Sequence, residues 1–158
     1  MATIRRDTVI EASPARVWAA LRDVGAIHTR LAPGFVTDVT MEEGDRARVV
    51  TFGNGMVVRE QMVDVDDEHC RVAWSATGGA LTHHNASAQV FPEGLTCTRF
   101  VWIADLLPDD AAPAITQMIE QGLATIKAHL ENEARADAEH GGEGFPGSRH
   151  DHTTGSRS

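Results

Sequence analysis

Few side chains in this sequence have a type and spacing that could do chemistry. Two stand out: His84 in the run His83-His84-Asn85, and Arg59 in Val58-Arg59-Glu60-Gln61. A neutral imidazole can take up and return a proton near neutral pH. A guanidinium can hold a carboxylate or an enolate oxygen through charge-assisted hydrogen bonds. Strand alternation lets only one of His83 and His84 face inward, and the alternative is a histidine satisfied at a strand end. Arg59 and Glu60 are neighbours and so point to opposite faces, which leaves each to meet a cross-strand partner. His28 and Arg30 could edge the entrance of a cavity, with Arg30 suited to a carboxylate; the alternative is an exposed helix face.

Other chemistries are excluded. Ser75 and Ser87 lack a Gly-x-Ser-x-Gly setting, which argues against a serine hydrolase. Thirteen of the 14 basic residues are arginine, so a Schiff base would have to use Lys127. There is no Cys-x-x-Cys or His-x-x-x-His spacing, so neither a metal nor a cofactor is expected. Cys70 and Cys97 read as free thiols on strands. Asp105, Asp109 and Asp110 read as a strand end and a helix cap, not a carboxylate dyad. The net charge of −9 opposes nucleic acid and anionic membrane surfaces as partners. No apolar run approaches the ~20 residues of a membrane helix. Met1 to Arg6 lacks a hydrophobic signal core, from which a cytoplasmic location is expected.

The elements that must position these residues follow from patterning. Thr3 to Ala12 alternates as a strand. Ser13 and Pro14 open a helix over Ala15 to Asp23, with Val17, Trp18 and Leu21 on one face. A second short helix covers Ala26 to Leu31. Strands follow over Phe35–Met41, Arg46–Phe52, Met56–Val65, His69–Ala76, His83–Phe91 and Leu95–Asp105, with Asn54-Gly55 as a hairpin signal. From about Asp109 to Ala136, Ile115, Met118, Ile119, Gly122, Leu123, Ile126 and Leu130 recur at helical spacing. Such a helix spans ~30 Å or more, enough to cross a whole sheet. Residues 1–136 therefore form one folded domain. Residues 137–158 hold five of the 14 glycines and almost nothing apolar, and read as a disordered tail.

The order β–α–α–β₆–α, the entry Ala12-Ser13-Pro14-Ala15-Arg16-Val17-Trp18 and the turn Asp64-Val65-Asp66-Asp67 carry a resemblance. From about Ile4 to Glu131 the chain resembles the START/Bet v 1-like helix-grip proteins, in particular the polyketide cyclase/dehydrase and lipid-transport family. The resemblance implies an α+β helix-grip fold: a curled seven-stranded antiparallel sheet around a long C-terminal helix. It also implies that alternate strand residues face a cavity roofed by that helix. Matching to the family places His84 inward with Ala86, Ala88 and Val90. Aromatase/cyclases of this group offer a pocket arginine where this chain has Gln61, with Arg59 the nearest substitute. They place a tyrosine or tryptophan in the second helix, where this chain has His28 and Arg30.

Trp74 and Trp102 fall mid-strand, with Phe100 a same-face neighbour of Trp102. They read as a flat wall for a planar guest, or else as core. Lining this cavity, by expectation, are His28, Arg30, Arg59, Gln61, Trp74, His84, Phe100, Trp102, Met118 and Gly122. An empty void of ~300 Å³ would cost about 7 kcal/mol at ~24 cal/mol per Å³. The hollow must therefore be small, polar or occupied. Binding of a hydrophobic or aromatic small molecule, polyketide-like or lipid, is the leading expectation. A polyketide cyclase or dehydratase working through His84 and Arg59 is one alternative. A protein-interaction module resembling Hsp90-activator domains is the other.

Overall fold

The computed structural model describes residues 1–141 of the 158. Strand β1 (Ala2–Ile10) leads into helices α1 (Pro14–Arg22) and α2 (Ile27–Arg30). Strands β2 (Val36–Met41), β3 (Ala47–Phe52), β4 (Val57–Asp66), β5 (Arg71–Ala76), β6 (His83–Pro92) and β7 (Thr98–Leu107) follow, and helix α3 (Ala112–Gly141) closes the order. All pairings are antiparallel, in the order β1-β7-β6-β5-β4-β3-β2. The sheet is thus a six-stranded meander to which β1 returns at the far edge. This is the helix-grip architecture expected from the sequence.

The local reasons are visible. Ser13 accepts the backbone N–H of Arg16 at 3.2 Å as N-cap of α1, and Pro14 occupies the first turn, where no donor is needed. Val17 and Leu21 are buried, while Trp18 donates its indole N–H to Asp67 at 3.0 Å. Arg22 donates to the same carboxylate at 2.8 Å. The Arg22 guanidinium, with the Trp18 bond, holds the Asp67 carboxyl below its usual range. The helix entry and the β4–β5 turn, far apart in sequence, are therefore one contact. At the β3–β4 hairpin, a Cβ on Gly53 would stand 2.3 Å from the Gly34 carbonyl oxygen, so only glycine lets hairpin and α2–β2 connector touch.

Helix α3 lies along the concave face with Ile119, Leu123, Ile126 and Leu130 buried, as its apolar stripe required. It starts later and ends later than expected. Asp109 and Asp110 form a single 3₁₀ turn ahead of it without a side-chain cap, and Asp109 pairs instead with the N-terminal amino group at 3.1 Å. At the other end the helix continues through Asp137 to Gly141, so the expected tail boundary at 137 falls inside it; residues 142–158 lie outside the described residues. Cys70 and Cys97 are unpaired, each in the turn just before a strand and not on one. Among the described residues no helix is long and apolar enough to cross a membrane.

Polar straps tie α3 to the start of the chain. Lys127 donates to the Val9 carbonyl at 2.6 Å and to Glu131 at 2.8 Å, and Glu131 accepts the Glu11 N–H at 2.8 Å. The only lysine is thus tied between β1 and α3 and does not line the hollow between sheet and α3. Burial alone would raise the Glu131 carboxyl, but the Lys127 and Glu11 bonds outweigh it and hold it below its ordinary value. A depressed carboxyl contributes stability at neutral pH that is lost as pH falls through the folded-state value. Glu131→Gln should cost about 1 kcal/mol at neutral pH, with the difference vanishing at a pH well below the ordinary carboxyl value of 4.5. Urea titrations at the two pH values measure it, and a pH-independent loss would place the effect elsewhere.

Candidate functional site

Between sheet and α3 lies a hollow of about 60 Å³ with an almost wholly apolar lining. Val72 and Trp74 of β5, Ala88 of β6 and Phe100 and Trp102 of β7 form its floor. Leu21, Ile27, Leu31 and Phe35 close it from the helical side, and Ile126 of α3 roofs it. Trp74 and Trp102 meet edge to face with centroids 6.0 Å apart. At ~24 cal/mol per Å³, leaving this space dry costs about 1.5 kcal/mol, which a domain tolerates. The interior is therefore tighter than the length of α3 alone suggested. The reason is aromatic filling. A Cβ on Gly122 would lie 2.9 Å from Trp102 Cζ3 and 3.0 Å from Phe35 Cε1, so the missing side chain lets both rings seat against α3.

One feature of the lining is charged. Arg48 of β3 and Glu60 of β4 are register partners, 4% and 7% exposed, and both line the hollow. Arg48 Nε donates to Glu60 Oε1 at 2.8 Å and its Nη1 donates to the Val24 carbonyl at 3.0 Å. Its guanidinium carbon stands 5.6 Å from the centroid of Trp74, a cation–π distance. Beside the pair, the Trp102 indole N–H of the lining is buried without a hydrogen-bond partner. Buried ion pairs seldom add net stability over well-packed apolar residues. A donor and an acceptor are thus held side by side at an apolar wall.

The residues singled out from sequence divide. Trp74, Phe100 and Trp102 line the hollow, Gly122 lies against Phe35 and Trp102, and Met118 lines a separate outer groove. Arg59 and Gln61 do not face inward. They share the outer face of β4, where Arg59 donates to Glu42 at 2.7 and 2.9 Å and holds that carboxyl below its usual range. Arg30 is exposed and bonded to Asp23 at 2.8 Å, while Ile27 and Leu31 supply the helical wall. His28 is half-buried and outside the lining, with Nδ1 buried and unpartnered.

His84, not His83, is on the concave side with Ala86, Ala88 and Val90, yet it stands near the strand start, opposite Leu106, and does not reach the hollow. Its Nδ1 is buried without a partner. Burial, with a smaller push from His83, lowers the imidazole below its ordinary 6.5. A histidine favoured neutral by folding gives stability that is complete above that value and is lost on acidification through the folded-state pKa. Melting curves of the parent should therefore decline as the pH falls below 6.5, and His84→Leu should flatten that decline. Parallel declines in parent and variant would assign the sensitivity to other groups.

The sequence reading put none of Arg48, Glu60, Phe35 and Phe52 in the lining; it left Glu60 to meet a cross-strand partner without naming Arg48, although one signal for that pair existed. A hairpin turning on Asn54-Gly55 sets Arg48 opposite Glu60.

Comparison with known proteins follows this geometry. The family described as polyketide cyclase/dehydrase and lipid transport matches residues 1–131. The chain belongs to that family. Among solved structures it is similar to XoxI from Bacillus cereus (TM-score 0.75, 18% identity, 84% of this chain and 99% of that one). It is also similar to a START superfamily protein from Mycobacterium smegmatis (TM-score 0.62, 10% identity, 85% and 97%). A third likeness is to the di-domain ARO/CYC BexL from the BE-7585A biosynthetic pathway (TM-score 0.71, 14% identity, 83% of this chain and 47% of that one). At these identities the likeness establishes the fold. No curated protein matches the sequence.

Proposed function

We propose that this family member binds a hydrophobic or aromatic small molecule in the space between its sheet and α3. The observation that carries the reading is the Arg48–Glu60 pair set into an otherwise apolar lining beside two indoles. Apolar walls with a few placed polar groups are the usual composition of a small-molecule site. Family membership supports the same role. Native mass spectrometry of freshly purified protein is expected to show a co-purified apolar ligand, or uptake of added small aromatics such as phenol. Absence of both retention and uptake under gentle conditions would overturn the reading.

The same pair supports a second reading, that of a cyclase or dehydratase. The Glu60 carboxylate is positioned to take a proton from carbon next to a carbonyl, and Arg48 to stabilise the enolate oxygen formed. Arg48 and Glu60 replace Arg59 and His84 in these roles, because the latter two do not reach the hollow. With a poly-β-carbonyl substrate, Glu60→Gln should change the ring products formed; an unchanged product profile would dismiss the enzyme and leave the binder.

A further inference from the structure

Phe35 and Phe52 line two hollows at once. On their inner side is the space of about 60 Å³; on their outer side is an open groove of about 590 Å³. We propose that hollow and groove are the two ends of one site that takes an elongated, uncharged molecule, with the Phe35 ring as the gate between them. The proposal rests on the binding role above and adds the ligand's shape, its charge and its way in.

Continuity is the first argument. The rings of Phe35 and Phe52 meet edge to face with centroids 5.5 Å apart, and they form the wall shared by both spaces. The inner space alone holds a few water molecules or the tip of a guest. The second argument is that this wall can open without unfolding anything. Phe35 sits in the connector between α2 and β2, and its backbone is fixed on both sides: its carbonyl accepts the Gly53 N–H at 2.9 Å, and the next residue, Val36, donates to Ala32 at 3.0 Å. Its ring rests on Gly122, where α3 presents no side chain to lock it. Rotation of one side chain therefore joins the two spaces, while the backbone stays in place.

Charge is the third argument. The groove is lined by apolar Pro33, Met118 and Ala124 and by the uncharged polar side chains of Asn54, Gln121 and Thr125. At the inner end, Arg48 and the unpartnered Trp102 indole N–H offer donors, and the Glu60 carboxylate offers an acceptor. A carboxylate there would meet the Glu60 charge, and an ammonium would meet Arg48. A neutral group that accepts and donates together, such as a primary amide or a hydroxyl beside a carbonyl, satisfies both.

The test uses the full chain and four molecules. Phenol, a single ring, needs only the inner space widened by the gate and does not reach the groove, so it reports on the binding role by itself. N-phenyl-1-naphthylamine, neutral and extended, has to pass the gate and occupy the groove. Its fluorescence should rise on binding, Phe35→Ala should speed its association about tenfold, and Ala124→Trp, an exposed substitution in the groove, should weaken it about tenfold. Phenol should still bind the Ala124→Trp protein. Between 2-naphthamide and 2-naphthoate the amide should bind at least about tenfold tighter at neutral pH.

Binding of phenol without binding of N-phenyl-1-naphthylamine would overturn the joined site and leave the binding role standing. Failure of all four molecules would sink both. Equal affinity of the long molecule for parent and Ala124→Trp would remove the groove from the site. Naphthoate binding as tightly as naphthamide would overturn the selection for an uncharged end.

Discussion

Removing either member of the Arg48–Glu60 pair should cost about 3–5 kcal/mol, and removing both should restore most of it. The asymmetry follows from burial. Arg48→Met leaves a carboxylate with 7% exposure in an otherwise apolar lining, while Glu60→Leu leaves a guanidinium with 4% exposure holding only the Val24 carbonyl. Each lone charge then has little water around it and no counter-ion. The double variant Arg48→Met/Glu60→Leu replaces the pair by apolar groups of similar bulk, a change that is often neutral or stabilising. Against a domain stability of about 5–15 kcal/mol, single variants near the unfolding edge and a double variant near the parent are readily told apart by urea denaturation. The double variant should then fold and lose its preference between 2-naphthamide and 2-naphthoate. A double variant as unstable as the worse single one would make the pair a structural necessity, and the functional reading of it would fall.

That pair also marks where the sequence stopped being legible. Elements were readable because their signals are local. Ser13-Pro14 starts α1, Asn54-Gly55 turns the hairpin, and a stripe at spacings of 3 and 4 makes α3 a one-faced helix. Strand facing was harder, because β4 has apolar residues on both faces. Val57, Val63 and Val65 are exposed while Val58 and Met62 turn inward, so hydrophobic alternation alone permits either phase. A register shift between Met62 and Asp64 further breaks the period-2 pattern along that strand. The family match put Arg59 and Gln61 inside, alternation offered nothing against it, and Glu60 was left outside the site. The cross-strand partner of Glu60 would have decided it, since a charge facing a charge across a tight hairpin can be desolvated where a lone one cannot.

Volume was illegible for a different reason. Helix length and sheet size bound a hollow from outside, but how much of it remains depends on rings that arrive from elsewhere. Phe35 comes from a connector, and it fits only because α3 has a glycine at 122. Neither residue lies in a pattern that a periodicity count registers. His84 shows the converse: its facing was read through alternation, but its distance along the strand from the hollow was not.

Trp74→Ala should be the most informative single truncation, lowering stability by about 3–5 kcal/mol and creating a site that a small aromatic can refill. The indole is 6% exposed, packs edge to face on Trp102 and underlies the Arg48 guanidinium. Its neighbours are held by separate ties: Arg48 by Glu60 and Val24, and Trp102 by the β7 ladder with β1 and β6. They should therefore stay in place and leave a hole, not collapse into it, since the cost of a truncation reflects how little the surroundings relax. Free indole matches the lost ring. At a hundredfold excess over its dissociation constant it should return about 2.7 kcal/mol, read as a rise in the melting temperature that the parent does not show. A variant that melts low and ignores indole would mean that the walls close over the gap. An interior that soft could not hold a guest against Arg48 and Glu60 in a fixed pose. Rescue by indole, in contrast, would show that sheet and α3 keep their separation when an aromatic ring is withdrawn, which any ligand of this protein requires of them.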